Sequence, residues 1–412
     1  MTKQPRTVML LDCQSFYASV EKSRNPQYKN KPLVVAGDPE RRSGIVLAAC
    51  PIAKKFGIST ADRLWEALKK CPEVIVAKPH MQEYLDVSLQ ITEIYETYTD
   101  LVEIYSVDEQ FVDVTHSMHL FGSPFEMAKS MQDKVMSETG IYVRAGIAEN
   151  KILAKLCCDM IAKKNATGIF YLNKNELDKH IWHKPVGDMW GVGSRMKRHF
   201  YKMGIQTIGD LAKTPLPRLT KRWGVNGQVL WQCANGIDNS PVSTATHNNQ
   251  KVIGNGMTLP RDYAHAWEIE VVLNELTSQV CRRARNKNVM GRTVSVSCMG
   301  ADWDYPTGFS RQMKMDDPSN ISVDVFSNVK KLFHKFWDGL PVRRLGVSLS
   351  DLSSADVYQL TIFDDFEKKI RVENVMDKIK DKFGEAAILR ASSLTAAGQA
   401  VDRSVKIGGH FK

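Results

Sequence analysis

No C-x-x-C pair occurs in this chain, and none of its cysteines (Cys13, Cys50, Cys71, Cys157, Cys158, Cys233, Cys281, Cys298) has a histidine partner close by in sequence. A zinc site or a disulfide framework is therefore not expected, and the thiols read as reduced and mostly buried. Long uncharged apolar runs are missing too, whereas a membrane-spanning helix needs about 20 such residues. The one apolar run near the start, in MTKQPRTVMLLDCQSFYASV, is broken by Asp12, so no signal peptide is expected and the protein is expected in the cytoplasm. There is no basic amphipathic helix with a broad apolar face to lie on an anionic membrane. Internal repeats and low-complexity tracts are also absent, which excludes solenoid and fibrous classes.

What is present is a soluble globular mixture, 43% apolar and 25% charged, in a chain of 412 residues. That length exceeds what one core usually serves, so two to four domains are expected. A formal net charge of +10 favours a polyanionic partner, and nucleic acid is the commonest for a soluble protein.

Along the chain, Thr7 to Leu11 read as a short strand ending in an acid, with helical character from Ser15 to Ser23. Tyr28 to Lys78 form a small α/β insertion. Apolar spacing from Met81 to Tyr98 predicts a long helix, and Val102 to Val114 read as two β segments meeting at an acidic pair. A helix (Pro124 to Thr139), a strand (Tyr142 to Ala148), a helix (Lys151 to Ala162) and a strand (Gly168 to Leu172) follow, which fits a mixed sheet covered by helices. Asn175 to Asn239 read as a small helical domain, and the polar run from Asn239 to Lys251 as a linker. Beyond it, Leu259 to Leu352 read as an α/β domain with a helix from Ala264 to Lys287, strands at Thr293 to Cys298 and Val342 to Leu349, and a helix from Asn320 to Trp337. The tail carries one more helix (Asp364 to Phe383), and its final residues are expected to be mobile.

Three carboxylates each follow or interrupt a β-like run: Asp12 after VMLL, and Asp108 with Glu109 between EIYSV and QFVDV. Acids at strand ends are costly to bury unless cations or hydrogen bonds compensate. Hard oxygen ligands suit magnesium or manganese, and two such ions about 4 Å apart stabilise both oxygens of an in-line phosphoryl displacement. On spacing alone a plainer reading stands beside this one: Asp108-Glu109 turns a hairpin while Asp12 caps a helix.

The run Asp12-Cys13-Gln14-Ser15-Phe16-Tyr17-Ala18-Ser19-Val20-Glu21, followed about ninety residues later by Tyr105-Ser106-Val107-Asp108-Glu109, resembles the Y-family DNA polymerases, particularly the UmuC-like branch of Gram-positive bacteria. Ala53-Lys54-Lys55-Phe56-Gly57, Gly146-Ile147-Ala148-Glu149-Asn150-Lys151 and Ala154-Lys155-Leu156 support the match over nearly the whole chain. The resemblance implies an α+β right-hand polymerase. Its mixed-sheet palm would comprise residues 1–28 and 79–172, with small fingers at 29–78 and a helix-hairpin-helix thumb at 173–240. A linker (241–250), an α/β little finger (251–353) and a tail (354–412) would follow.

The implied activity is error-prone DNA-directed DNA synthesis past lesions during repair, in an SOS-type damage response. Two Mg²⁺ ions, or Mn²⁺ in their place, would be held by Asp12, Asp108, Glu109 and the backbone carbonyl of Cys13. Tyr17 would be a steric gate against a ribose 2′-hydroxyl. Phe16 beside it belongs to the nucleotide-binding stretch, although adjacent aromatics at a helix start also read as core packing. Expected partners are primer-template DNA, dNTPs and the sliding clamp, with no membrane and a monomeric state.

The pattern also departs from its relatives. Where many carry a tyrosine and an arginine that grip the triphosphate, this chain has Pro51 and Lys54; the lysine brings a point charge without a bidentate fork, and the proline brings no hydroxyl. The family's triphosphate lysine falls on Lys163, with Lys164 one residue away. Gln14 stands where relatives often have a second acid.

Gly191-Val192-Gly193 followed by Arg195, Lys197, Arg198 and Lys202 has the form of a helix-hairpin-helix that contacts duplex phosphates. Arg282, Arg283, Arg285, Lys287 and Arg292 are further candidate phosphate contacts. Gln359-Leu360-Thr361-Ile362-Phe363 resembles the clamp-binding pentapeptide, with Gln359, Leu360, Ile362 and Phe363 as anchors. Two rival readings remain open: a catalytically weak polymerase-like accessory that binds DNA or the clamp, and a helix-hairpin-helix nuclease or glycosylase.

Overall fold

The computed structural model describes residues 6–38, 44–246, 250–302, 304–357 and 365–411. The chain opens with strand β1 (Val8–Cys13) and helix α1 (Phe16–Arg24). The insertion follows as β2 (Leu33–Ala36), β3 (Val46–Ala49), α2 (Pro51–Lys55), α3 (Leu64–Lys70) and β4 (Ile75–Ala77), its strands forming a three-stranded sheet in the order β3-β2-β4. Next come α4 (Met81–Glu96), β5 (Val102–Ile104), β6 (Glu109–Asp113), α5 (Met118–Phe121), α6 (Pro124–Thr139), β7 (Val143–Ala148), α7 (Lys151–Met160) and β8 (Ile169–Tyr171). These strands close a five-stranded sheet in the order β5-β6-β1-β7-β8, antiparallel except for the β7–β8 pair. The mixed sheet expected from alternating elements is therefore present.

β1 lies at the centre of this sheet and is buried on both faces, which is why its sequence is a continuous apolar run. Met9, Leu11 and Cys13 join the core shared with α1, α4, α6 and the small sheet. Val8 and Leu10 face the other way, onto α7 and the helical region that follows. Asp12 shares the face of Val8 and Leu10 by the two-residue period of a strand, so it points toward the α7 side. Gly146 on β7 is what lets α7 come so close: a Cβ there would meet Cys158 N at 2.3 Å and Ala154 O at 2.4 Å.

The helical region comprises α8 (Leu177–His180), α9 (Ser194–Lys202), α10 (Ile208–Lys213), α11 (Leu216–Trp223) and α12 (Val225–Ala234). Beyond the polar connection, β9 (Val252–Tyr263), α13 (Ala266–Asn286), β10 (Val289–Gly300), β11 (Gly308–Ser319), α14 (Ser322–Phe336) and β12 (Val342–Ser354) form a four-stranded sheet in the order β11-β10-β12-β9. All of its pairs are antiparallel, and α13 and α14 pack on it around a separate core. The sequence reading missed β9 and β11, whose polar, half-exposed stretches carry a weak apolar signal.

The tail corrects two expectations. α15 (Phe366–Phe383) matches the expected helix, but the chain then stays structured through α16 (Ala400–Ser404) and the hairpin β13 (Lys406–Ile407) and β14 (His410–Phe411). Ala397 is fully buried and its carbonyl accepts from Tyr263 Oη at 2.9 Å, while Gln399 N donates to the Glu275 carboxylate. Arg282 and Arg285 are likewise not free for phosphate. Arg285 pairs with Glu373 at 2.9 Å and Asp377 at 2.7 Å, and Arg282 pairs with Asp381 and Glu385. α13 thus spends these cations on holding the acidic face of α15. Arg283 and Arg292 donate to backbone carbonyls of Gly254 and Asp316, whereas Lys287 is exposed.

Candidate active site

Antiparallel pairing of β1 with β6 sets Asp12 directly opposite Glu109, and pairing of β1 with β7 sets Arg144 opposite Asp12 on the other side. The β5–β6 turn then places Asp108 beside them. Its carbonyl accepts from Cys13 N at 2.9 Å, and its carboxylate accepts from Ser106 Oγ at 2.6 Å. Ser106 Oγ also accepts from Glu109 N at 3.1 Å, fixing the turn. Residues almost a hundred positions apart thereby meet at one end of the central strands. The plainer reading is half right: the pair Asp108-Glu109 does sit at a hairpin, but Asp12 lies within a strand and caps nothing.

The three acids line a cleft of about 370 Å³ with Cys13, Gln14, Ser15, Phe16, Tyr17, Lys54, Arg144 and Lys163. α7 and the turn after it supply the countercharge. Lys155 Nζ lies 2.5 Å from Glu109 Oε1, and Lys163 Nζ lies 2.6 Å from Asp12 Oδ2 and 2.8 Å from Asp159 Oδ1. Of the two candidate lysines, Lys163 lines the cleft, whereas Lys164 is exposed and is not among the lining residues. Burial pushes the Asp12 carboxyl up to about 7; Lys163 opposes the shift and the neighbouring Glu109 adds to it. Burial would lower the Lys163 ammonium, but Asp12 and Asp159 outweigh it and hold it above its usual value.

On the opposite wall, Lys54 Nζ donates to Ser15 Oγ at 3.0 Å. Burial and the nearby Arg144 guanidinium lower its pKa. Ser15 holds φ +50°, a left-handed conformation that is uncommon away from glycine and that collects at functional sites. Pro51 occupies the first turn of α2, and Cys50 Sγ caps that helix by accepting from Ala53 N.

Phe16 is buried in the core, as the packing reading expected, although it also borders the cleft. Tyr17 is half-buried and stacks on Tyr84, with ring centroids 4.4 Å apart at 17°. Burial and Asp108 raise its phenol pKa and keep it neutral.

Three site residues were missed from sequence: Arg144, Lys155 and Asp159. Arg144 carries no ion-pair partner among the described residues, and its place depends on a strand register that one sequence does not reveal. Lys155 and Asp159 were legible as neighbours of Lys163 at helical spacing, since positions 155, 159 and 163 follow at i, i+4 and i+8.

At the helix-hairpin-helix, Gly191 holds φ +88° and Gly193 caps α9, with Arg195, Arg198 and Lys202 exposed along that helix. Lys197 folds its stem across Gly187 and its ammonium over the Tyr201 ring. The clamp-like pentapeptide Gln359 to Phe363 lies outside the described residues.

Asp12, Glu109 and Asp159 offer carboxylate oxygens within 4.8 Å of one another, a hard-oxygen donor set that suits a divalent cation. An acidic cleft at the ends of the central strands of a mixed sheet, with cations on both walls, is an arrangement suited to nucleotidyl transfer. Family models agree region by region: the impB/mucB/samB family matches residues 11–159, its C-terminal domain matches 250–362, and the DNA polymerase-iota thumb domain matches 187–238. The chain is 60% identical to DNA polymerase IV 2 of Bacillus subtilis over 408 residues, 99% of each chain. It is 50% identical to DNA polymerase IV 2 of Halalkalibacterium halodurans, over 99% of this chain and 100% of the other. Among solved structures, a Y-family DNA polymerase chimera of Dbh and Dpo4 superposes with a TM-score of 0.69 at 26% identity, covering 84% of this chain and 98% of that one. The chain belongs to the impB/mucB/samB family, the Y-family of translesion DNA polymerases.

Proposed function

We propose that the chain is an error-prone DNA-directed DNA polymerase that copies past template lesions, and that Asp12, Asp108 and Glu109 are its catalytic acids. The convergence of these three carboxylates in one cleft carries the reading. Asp12, Glu109 and Asp108, with the Cys13 carbonyl, would hold two Mg²⁺ ions. When bound, such ions lower the cost of the charge that develops on the attacking and leaving oxygens of phosphoryl transfer.

The remaining roles belong to the chain's own groups. Lys163, Lys54 and Arg144 present positive charge to the triphosphate, with Arg144 able to make the bidentate contact that Lys54 forgoes. Lys155 holds the Glu109 carboxylate in place from the α7 side. Tyr17 covers the sugar position and excludes a 2′-hydroxyl. In this reading the five-stranded sheet is the palm (residues 1–28 and 79–172), the insertion the fingers (29–78), the helical region the thumb (173–240) and the four-stranded sheet the little finger (251–353). Gly191, Gly193, Arg195, Lys197 and Arg198 track the duplex backbone. The pentapeptide at 359–363 tethers the enzyme to the sliding clamp and so raises its effective concentration at primer ends. A weak accessory role rested on Pro51 and Lys54, and Lys54 keeps its place in the cleft beside Arg144.

Primer extension by the purified protein with Mg²⁺ and dNTPs, on an undamaged template and on one carrying an abasic site, tests the reading. Synthesis continuing past the lesion is expected. Extension that stops one nucleotide before every lesion would remove the translesion role.

A further inference from the structure

Tyr17 lines the cleft and stacks on Tyr84. Tyr84 is fully buried on α4 and donates its hydroxyl to Glu21 Oε1 at 2.5 Å. The same oxygen lies 2.8 Å from His80 Nδ1 at the start of α4. Glu21 itself is 3% exposed and lies four residues after Tyr17 on α1, so both side chains project from one helix face. A buried carboxylate is costly unless donors satisfy it, and here the donors come from the element that carries the stacking ring. A second tie, an ion pair between Arg24 and Glu83, joins the same two helices. Burial, followed by the Glu21 bond, raises the Tyr84 phenol pKa and keeps it the donor.

We infer that Glu21 is a positioning residue for sugar selection: by anchoring the Tyr84 hydroxyl with the help of His80, it fixes the plane against which Tyr17 rests and thereby the depth at which Tyr17 meets the sugar. Glu21 touches no substrate. The inference rests on the reading of Tyr17 as the sugar gate. It concerns specificity because a ring free to tilt by a fraction of an ångström changes the clearance left for one oxygen, whereas the acids and lysines of the cleft stay where they are.

The test is the ratio of kcat/KM for a dNTP to that for the matching rNTP, measured in primer extension for the wild type and for Tyr17→Ala, Glu21→Leu, Glu21→Gln and Tyr84→Phe. The ratio cancels the fraction of active enzyme, so a purely structural loss does not move it. Glu21→Leu and Tyr84→Phe are each expected to lower the ratio about tenfold, mainly through a smaller rNTP KM. Glu21→Gln keeps an acceptor oxygen and is expected to stay within about twofold of wild type. If Tyr17→Ala leaves the ratio unchanged, the gate itself is wrong. If Tyr17→Ala lowers it while Glu21→Leu and Tyr84→Phe do not, the gate stands and the positioning role falls. Equal losses in Glu21→Gln and Glu21→Leu also overturn it, because the acceptor would then not be what matters. Should Glu21→Leu fail to fold, Tyr84→Phe, which removes one oxygen atom, decides the question.

Discussion

Lys163 Nζ stands 2.6 Å from Asp12 Oδ2 and 2.8 Å from Asp159 Oδ1, so the lysine proposed to meet the triphosphate is held as a counterion inside the acidic cleft. A cation so placed offsets the charge of the acids and, in the proposed reading, lies within reach of the triphosphate. Lys163→Ala is therefore expected to raise the KM for dNTP about tenfold with a smaller fall in kcat, and Arg144→Ala to do the same. Steady-state kinetics at saturating primer-template checks this; an unchanged KM in both variants would contradict the assignment of these cations to the triphosphate.

Asp12 gives a pH dependence whose sign can be worked out. Its carboxyl is raised from 3.8 to about 7, so between those values the folded metal-free protein holds a proton that the unfolded chain releases. The cost of the ionised form is fully present above about pH 7 and is relieved progressively as the pH falls from about 7 toward 3.8. A divalent cation needs the ionised form, so its stabilisation runs the other way. The rise in Tm caused by adding Mg²⁺ is expected to be largest near pH 8 and to shrink by pH 6, as measured by thermal unfolding with and without the ion. A rise independent of pH would show that Asp12 does not take part.

Much of this site was legible in the sequence, and the part that was not has a physical reason. Asp12, Asp108 and Glu109 each interrupt an apolar strand, and a charge inside such a run stands out because burial makes it costly. Arg144 was hidden because its importance comes from pairing with β1, and a register between distant strands leaves no mark in either one alone. The tail shows the same limit. Its acids on α15 look like a solvated helix face, and only the fold brings Arg282 and Arg285 of α13 against them. Helices with strong periodicity, such as α6, were read to within a residue because Ser123, Pro124 and Gly140 mark the ends chemically.

The α13–α15 ion pairs predict a stability effect distinct from catalysis. Arg285 is 5% exposed between Glu373 and Asp377, which are 6% and 12% exposed. Arg285→Ala removes the close cationic partner of both acids, leaving Glu373 with its Ser322 bonds and Asp377 with the longer Arg282 pair, and is expected to cost about 3 kcal/mol, with early proteolysis of the tail. Limited proteolysis and urea unfolding check this. A variant as resistant as the wild type would mean that the tail is held by other contacts.

Deleting residues 359–363 is expected to abolish stimulation by the sliding clamp while leaving basal extension intact. Extension assays with and without clamp on circular primed template separate the two, and clamp stimulation that survives the deletion would place the tether elsewhere.

Primer extension by Asp108→Ala/Glu109→Ala beside the wild type, with primer-template affinity measured on the same preparations, tests the three-acid assignment most directly. The expected result is DNA affinity like that of the wild type and extension reduced about a thousandfold or more. Undiminished synthesis by the double variant, or a wild-type protein that binds primer-template and never extends it, would contradict the account.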